Sequence, residues 1–445
     1  MAKSIGALLY ALAALSVVTP SLAQTASSPV VFDDVRVFDG NKLTAPMNVL
    51  VEGNKIARIS AEPITTTDAA THIAGAGRTL MPGLIDAHWH TFMARPSMQM
   101  ASTAPMTLIT LMAGAEAQAT LLRGFTSVRD LGGPSFGLKM AIDRGVIDGP
   151  RIWPSGAMIS QSGGHGDFRM LHEVPATPDK LSYPERMGMS AIADSPDEVR
   201  KRSREQLLQG ASQIKLTVGG GVSSPYGPLD TVQLSVPEIR AAVEAAANWG
   251  TYVTVHAYTP EAIRNAIEGG AKVIDHGQLA DEATVKLMAD KGIWWSLQPF
   301  LADEMANAQP DAAGQARAAE VRAGTDNAYR LAREFGVKVA FGTDILFDGA
   351  LAAQQGAQLQ RMTRWYTPAE ILKMATADNA ALLALSDRRN PYPGKLGVVE
   401  VGALADLLLV DGDPTADIGL LSDPAKNLLV IMKDGRIVKN AGMAN

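Results

Sequence analysis

Two histidines one residue apart, His88 and His90, end the apolar segment MPGLIDAHWH at residues 81–90. Side chains on a β-strand alternate between its two faces, so both imidazoles would project from one face, about 6.6 Å apart along the strand. Two imidazoles at that spacing can bind one metal ion. A pair of hydrogen-bonded polar residues at a strand end is the alternative, but the position after an apolar strand favours metal ligands.

Four more residues that can bind metal lie in apolar segments of the same kind. They are Lys215 in QIKLTV, His256 in TYVTVHAY, His276 in KVIDHGQ and Asp344 in VKVAFGTD. Strand alternation predicts that His256 shares a face with Thr254 and that His276 shares a face with Ile274. Asp344 could instead cap the helix that follows it. The chain has no cysteine, so histidine and carboxylate remain as the usual ligands for a metal.

Lys215 alternates with apolar residues in its segment, which would place its ammonium group in the interior. Burial lowers the pKa of a lysine from its reference value of about 10.4. A neutral buried lysine can take up carbon dioxide to become a carbamate, whose two oxygens can bridge two metal ions. An ion pair between Lys215 and a carboxylate of the same interior is an alternative that the sequence leaves open.

The elements that would position these residues are eight apolar runs separated by segments of helical spacing. In residues 236–250, Ile239, Val243 and Ala246 recur at steps of four and three, and Gly250 would end that helix. Repeated alternation of strand and helix predicts a parallel (β/α)8 TIM-type barrel over residues 81–389, with its active site at the carboxyl ends of the strands. The runs are GLIDAHWH, TSVRDLGG, RIWPSGAMIS, QIKLTVGGG, TYVTVHAY, KVIDHGQ, IWWSLQPF and VKVAFGTD.

The flanks of the barrel, residues 24–80 and 390–445, are rich in short β segments and turns. Two such segments that bracket a barrel would pair with each other as a small β-sandwich domain. Two long connections, residues 161–200 and 301–326, follow the third and seventh runs and would build or cover a site. A disordered insertion is the alternative, and it has more weight for the alanine-rich residues 301–326.

The first 23 residues have the pattern of a secretory signal, with Lys3 before an apolar run and small residues before a cleavage point near Ala23. The run is shorter than the ~20 apolar residues of a membrane helix. We therefore expect an exported protein, periplasmic or secreted, without membrane attachment after cleavage. The 40 basic and 46 acidic side chains give a net charge of −6 without a basic patch, which argues against a nucleic-acid partner.

The motifs together resemble the amidohydrolase superfamily in its binuclear-metal form. The resemblance rests on MPGLIDAHWH, the inward Lys215, His256, the HG pair at residues 276–277 and GTD at residues 342–344. It runs from about residue 30 to the C-terminus and includes the closing KLGVVEVGALADLLLVDGDP. The stretches TSVRDLGG, SGGHGD and QIKLTVGGGVSSP are most similar to the group of Xaa-Pro dipeptidases, carboxypeptidase-like enzymes and ochratoxin-hydrolysing amidases.

This resemblance implies a role for each candidate ligand. His88 and His90 would hold one divalent ion together with Asp344, His256 and His276 would hold a second, and carboxylated Lys215 would bridge the two. Zinc is the expected ion, with manganese or cobalt as possible substitutes. Asp344 would also take the proton of the attacking water and pass it to the leaving nitrogen.

Two loop residues are further candidates for the catalytic machinery. His165 in SGGHGD would polarise the scissile carbonyl or bind a carboxylate, and Tyr226 in SSPYGPL would donate to the developing oxyanion. A surface position for His165 and a packing role for Tyr226 are the alternatives. Arg169 is a candidate for binding a substrate carboxylate, whereas Arg129 and Asp130 are expected to pair structurally near the barrel mouth.

The predicted activity is metal-dependent hydrolysis of the amide bond of dipeptides or N-acyl amino acids, ochratoxin-like amides included. The substrate would be a small molecule with a free carboxylate, and the resemblance suggests a homo-oligomer. Hydrolysis of a cyclic amide or a lactone is the main alternative. A mononuclear deaminase would have no use for Lys215, and a non-enzymatic binding protein would not be expected to keep all six ligands.

Overall fold

The computed structural model describes residues 28–66, 69–175, 180–223, 226–309 and 311–441 of the 445-residue chain. The predicted signal segment lies outside the described residues. The strands are β1 (Val30–Phe38), β2 (Leu43–Glu52), β3 (Lys55–Ser60), β4 (Thr71–Ala74), β5 (Thr79–Pro82), β6 (Leu84–Trp89), β7 (Phe125–Asp130), β8 (Arg151–Pro154), β9 (Met158–Ser160), β10 (Ser190–Ile192), β11 (Ile214–Thr217), β12 (Val253–Ala257), β13 (Val273–His276), β14 (Trp294–Leu297), β15 (Lys338–Phe341), β16 (Leu407–Val410), β17 (Leu428–Lys433) and β18 (Arg436–Asn440).

Fourteen α-helices occur in the described part of the chain. They are α1 (Met98–Thr103), α2 (Met106–Leu122), α3 (Phe136–Asp143), α4 (Tyr183–Arg186), α5 (Pro196–Gln209), α6 (Val236–Trp249), α7 (Pro260–Gly269), α8 (Glu282–Asp290), α9 (Ala312–Phe335), α10 (Gly349–Ala352), α11 (Ala357–Arg361), α12 (Pro368–Lys373), α13 (Asn379–Leu383) and α14 (Pro424–Asn427). Within the described ranges, no helix has the length and hydropathy needed to cross a membrane.

Parallel strands form the predicted (β/α)8 TIM-type barrel. Seven strands pair in the order β10-β9-β11-β12-β13-β14-β15, and three pair in the order β6-β7-β8. Backbone hydrogen bonds join these two sheets at both seams. The amide of Ser212 donates to the carbonyl of Pro154 at 2.8 Å, and the amide of Asp344 donates to the carbonyl of His88 at 2.8 Å. The second bond holds two candidate ligands beside each other through the backbone.

The third predicted run, RIWPSGAMIS, forms two strands rather than one. β8 pairs with β7, whereas β9 pairs with β10 and β11. Gly156 lies between them with φ +74°, and a Cβ added there would be 2.3 Å from Oε1 of Gln206. A side chain is therefore excluded at this bend, from which β9 leads into the loop that carries His165.

Two predictions about helices have opposite outcomes. The predicted helix in residues 236–250 is confirmed as α6, which ends at Gly250 with φ +73°. For residues 301–326 the expected irregular conformation is wrong from Ala312 onward, because that stretch begins the 24-residue helix α9. Asp311 caps this helix by accepting from the amide of Gly314, and alanine has the highest intrinsic helix propensity. The segment 301–326 nevertheless contributes residues such as Met305 and Arg322 to the pocket described below, as predicted for a connection that builds a site.

The two flanks of the barrel pair with each other, as predicted for the β-sandwich domain. β1–β5 and β16–β18 form one eight-stranded sheet, in which β16 runs antiparallel to β5. The sheet curls until the amide of Ile56, in β3, donates to the carbonyl of Ala403 before β16. Buried residues from both flanks, among them Phe32, Val49 and Leu409, fill the core so enclosed.

Candidate metal centre

His88 and His90 converge on the carboxylate of Asp344, as the spacing of the two histidines predicts. Nε2 of His88 lies 3.2 Å and Nε2 of His90 3.1 Å from Oδ1 of Asp344. Asp344 adopts φ +51°, so its side chain does not follow the alternation of β15. Gly342 allows this close approach, because a Cβ there would be 2.5 Å from that of His88. Three candidate ligands, which lie at the end of β6 and after β15, are thus brought together where these two strands meet.

His276 reaches the same point by a route that strand alternation does not predict. Its expected neighbour Ile274 packs outward with α8, whereas Val273 packs inside the barrel with Tyr252 and Trp294. The prediction that His276 shares a face with Ile274 in the interior is therefore wrong. His276 has φ +76°, and this left-handed turn at the strand end brings its Nδ1 to 3.9 Å from Oδ2 of Asp344.

His256 and His165 complete a continuous group of imidazoles. The ring centroids of His256 and His276 are 4.5 Å apart, and His165 stacks on His256 at 3.9 Å. Nε2 of His256 lies 2.9 Å from the carbonyl of Gly220. The backbone amide of His165 donates to Gln233 at 2.7 Å, which fixes its loop over β11 and the site. The structure therefore places His165 inside the site and not on the surface.

Lys215 is fully inside the barrel, as predicted, where it pairs with Asp275. Its Nζ lies 2.7 Å from Oδ2 of Asp275, which also accepts from Thr254 at 2.7 Å. Nη2 of Arg129 lies 2.7 Å from the other oxygen of this carboxylate. The expected pairing of Arg129 with Asp130 is wrong, because adjacent strand residues point to opposite faces and Asp130 accepts from the amide of Thr91 instead.

Burial sets the protonation of these groups. It lowers the pKa of His88 to about 4 and that of His165 to about 3, and it holds the pKa values of His256 and His276 well below the ordinary range. Burial also lowers the pKa of Lys215. For Asp344, burial alone would raise the pKa, but the neighbouring histidines hold it well below its usual value. The site therefore favours neutral imidazoles beside an ionised carboxylate.

This donor set fits a divalent cation. His88, His276 and Asp344 each offer a ligand atom within 4.8 Å of the others. Nδ1 of His90 and Nδ1 of His276 are buried and have no hydrogen-bond partner within the described ranges. Neutral imidazoles and a carboxylate are the protonation states that metal binding requires.

A pocket opens over these residues, and its walls are mostly apolar. Lys215 and all five of the other predicted metal ligands line it, together with His165. The remaining wall includes the side chains of Phe168, Phe300, Met305, Leu346 and Phe347. A small organic molecule in this pocket would meet the imidazoles and Asp344 at one end and apolar side chains around it.

Comparison with known proteins identifies the family. The amidohydrolase family matches residues 79–438 of the chain. The chain belongs to the amidohydrolase family. An ochratoxinase from Aspergillus niger is 31% identical over 379 residues, which cover 82% of this chain and 76% of that relative.

Two solved structures resemble this amidohydrolase over nearly its full length. A prolidase complexed with N-methylphosphonate-L-proline is 33% identical, with a TM-score of 0.84 over 93% of this chain and 100% of that one. A Xaa-Pro dipeptidase with methionine bound in its active site is 30% identical, with a TM-score of 0.80 and the same coverage. These relatives confirm the predicted family group and support hydrolysis of amide or peptide bonds.

The structure does not bring Tyr226 or Arg169 to the pocket of this amidohydrolase. The hydroxyl of Tyr226 donates to the backbone carbonyl of Arg169 at 3.0 Å. The guanidinium of Arg169 binds the carboxylate of Asp167 through Nε at 2.8 Å and Nη2 at 2.6 Å. The guanidinium of Arg169, which was a candidate for binding a substrate carboxylate, is thus already bound by Asp167. The role of Tyr226 at an oxyanion stays a prediction.

Two residues of the site were missed by sequence reasoning. Asp275 lies in the barrel interior with Lys215 and Arg129. In KVIDHGQ it lies on the strand face opposite that of Ile274 and His276, and that alternative face was the signal for it. Tyr258 lines the pocket with its ring 4.9 Å from that of His276. It shares a strand face with His256 in the sequence TYVTVHAY, which was the signal for its position.

Proposed function

We propose that this amidohydrolase is an exported metal-dependent enzyme that hydrolyses the amide bond of dipeptides or N-acyl amino acids, ochratoxin-like amides included. The observation that carries the proposal is the convergence of five imidazoles, those of His88, His90, His165, His256 and His276, with Asp344 in one pocket. Its likeness to a prolidase, a Xaa-Pro dipeptidase and an ochratoxinase at 30–33% identity supports the substrate class.

Two divalent ions, with zinc as the expected metal, fit the donors of this site. His88, His90 and Asp344 would hold one ion, and His256 and His276 would hold the second. When bound, the ions would lower the pKa of a water molecule to about 7 and polarise the scissile carbonyl. Lys215 would join both as a carbamate, for which the lowered pKa of its amine is favourable. Its ion pair with Asp275 is the competing arrangement.

The residues of the chain supply the proton transfers and the binding surface. Asp344 is ionised and would accept a proton from the attacking water before it delivers that proton to the leaving nitrogen. His165 lines the pocket as a neutral imidazole and would donate to the scissile carbonyl or to a substrate carboxylate. The apolar wall around Phe168 and Phe300 would bind the side chain of the substrate and exclude water.

The activity is tested by a mass-spectrometric hydrolysis panel on the protein loaded with zinc in bicarbonate buffer. The panel sets Xaa-Pro and other dipeptides, N-acyl amino acids and ochratoxin A beside lactones and cyclic amides. Release of a free amino acid is the expected result. Ring opening without cleavage of any linear amide would replace the proposal with a cyclic-amide or lactone hydrolase.

Export is proposed on the sequence of the first 23 residues alone. Expression of the full chain in a bacterium with a periplasm, followed by N-terminal sequencing, tests it. A mature N-terminus near Gln24 in the periplasmic fraction is expected. An intact N-terminus in the cytoplasmic fraction would contradict it.

A further inference from the structure

The cations that line the pocket differ in whether they have a partner. Lys215 is paired with Asp275, and Arg361 binds both oxygens of Asp303 through Nη2 at 2.7 Å and Nε at 3.0 Å. Arg322 is the third cation of the lining, and it is half-buried. It has no hydrogen bond or ion pair within the described ranges. One arginine of the pocket lining therefore keeps all the donors of its guanidinium available.

The helix that carries Arg322 is held firmly against the metal centre. Val321, the preceding residue of α9, packs in one cluster with Tyr258, whose ring lies 4.9 Å from that of His276. Gly324 presses α9 onto the loop after His276, because a Cβ there would be 2.2 Å from the carbonyl oxygen of Gln278. These contacts hold the backbone of α9 at Arg322 on the His276 side of the pocket.

The charges in the pocket favour an anionic ligand beside Arg322. Among the lining residues within the described ranges, Asp344 is the only carboxylate, and it is surrounded by His88, His90 and His276. A half-buried guanidinium has lost part of its hydration, and its planar donors match the two oxygens of a carboxylate. An amide, ester or lactone without a charge would leave these donors unsatisfied.

We infer that Arg322 binds a free carboxylate of the substrate and thereby selects acidic amides, such as dipeptides and N-acyl amino acids, over their neutral counterparts. This inference rests on the proposed amide hydrolysis. It assigns the carboxylate to α9 in place of Arg169, whose guanidinium is occupied by Asp167.

The test compares each active substrate of the hydrolysis panel with its C-terminal carboxamide. Removal of the charge in Arg322→Met is expected to lower kcat/KM for the acid about 10- to 100-fold, mainly through KM, because a charge-assisted hydrogen bond is lost. The kcat/KM for the carboxamide should stay unchanged. Arg322→Lys keeps the charge without the planar fork and should give an intermediate value.

The matched control is Arg330→Gln, which removes an exposed cation from the same helix, paired there with Glu334. It should leave both substrates unaffected. If Arg322→Met lowered kcat/KM equally for the acid and the carboxamide, or lowered it for neither, the inference would be overturned. The proposed amide hydrolysis would be unaffected by either result. A wild-type protein that cleaves neither the acids nor the carboxamides would overturn the proposed function itself, and the inference with it.

Discussion

At the scale of single residues, the proposed function gives Asp344 two roles, which are to bind a metal ion and to accept the proton of the attacking water. Its Oδ1 lies within 3.2 Å of both His88 and His90, and its pKa is held low by the surrounding histidines. Asp344→Asn should preserve the fold and bound metal but lower kcat about 10²- to 10⁴-fold, since the amide cannot take up the proton. Turnover, circular dichroism and metal analysis of the same preparation measure these three properties. Activity at the wild-type level would refute the assigned role.

Asp275 is expected to stabilise the fold, although it lies beside the candidate metal centre. Its carboxylate is the shared partner of the buried cations Lys215 and Arg129, so Asp275→Asn leaves uncompensated charge in the interior. We predict a loss of about 3–5 kcal/mol in the free energy of unfolding of the metal-free protein, measured by urea denaturation. Glu334→Gln, which breaks the exposed pair with Arg330, should cost at most about 1 kcal/mol. Equal losses in the two variants would contradict this assignment.

Sequence spacing predicted the convergence of His88, His90 and Asp344 but not the geometry of every ligand. Alternation is reliable within a strand and fails where φ becomes positive, as it does at His276 and Asp344. His276 enters the site through this turn, and its strand faces the interior with Val273 and Asp275. The interior face was therefore assigned wrongly from His276, and Asp275, the partner of Lys215, was missed. A backbone conformation set by neighbouring strands cannot be derived from the spacing of side chains along one of them.

At the scale of elements, Gly324 sets how closely α9 approaches the loop after His276. Gly324→Ala would place a Cβ 2.2 Å from the carbonyl oxygen of Gln278 and force the helix away from the loop after His276. We expect a loss of about 1–3 kcal/mol in the free energy of unfolding, together with weaker substrate binding. Urea denaturation and KM for an acidic substrate measure the two effects.

Gly137→Ala is the matched control for this substitution. Gly137 also lies in a helix, α3, but a Cβ added there meets nothing within 4 Å. Alanine should therefore stabilise the protein by about 0.4–1 kcal/mol, because it restricts the unfolded chain. If Gly324→Ala had the same stabilising effect as Gly137→Ala, the proposed contact with Gln278 would not constrain α9.

Elements with a clear hydrophobic period were predictable, and elements that depend on their surroundings were not. The period and terminal glycine of residues 236–250 define α6 without knowledge of the fold. The alanine-rich residues 301–326 were interpreted only as a connection or a disordered insertion, because they lack a strong apolar stripe, and the helix α9 was missed. The break between β8 and β9 arises from packing of Gly156 against Gln206, which is distant in sequence.

At the scale of the whole molecule, a buried ion pair joins the barrel to the flanking sheet. Arg151 of β8 binds Asp406 through Nε at 2.7 Å and Nη2 at 3.1 Å, and it also binds Asp434 at 2.7 Å. Arg151→Met leaves the buried Asp406 without its cation. We predict a loss of about 3–5 kcal/mol in the free energy of unfolding, measured by urea denaturation.

The pair between Arg436 and Asp148 provides a control for the same junction. It also connects the flanking sheet to the barrel, but both side chains are more than half exposed. Arg436→Gln should therefore change the free energy of unfolding by no more than about 1 kcal/mol. A loss as large as that of Arg151→Met would mean that burial does not distinguish the two contacts.

The barrel and the pairing of its flanks could be predicted because each follows from a repeated pattern. Eight runs of one type predict a barrel, and two β-rich flanks that bracket it predict a small β-sandwich in which they pair. How the sheet curls to bring Ile56 against Ala403 depends on contacts between residues far apart in sequence. Such contacts leave no local pattern that a single sequence reveals.

The most direct test of the central claim is the metal dependence of amide cleavage by the wild-type protein. Ions are removed with a chelator, their removal is verified by elemental analysis, and zinc is restored in bicarbonate buffer. We predict that release of the amino acid from a dipeptide or N-acyl amino acid stops on removal and returns with zinc. Undiminished release by protein shown to be free of metal would contradict the account.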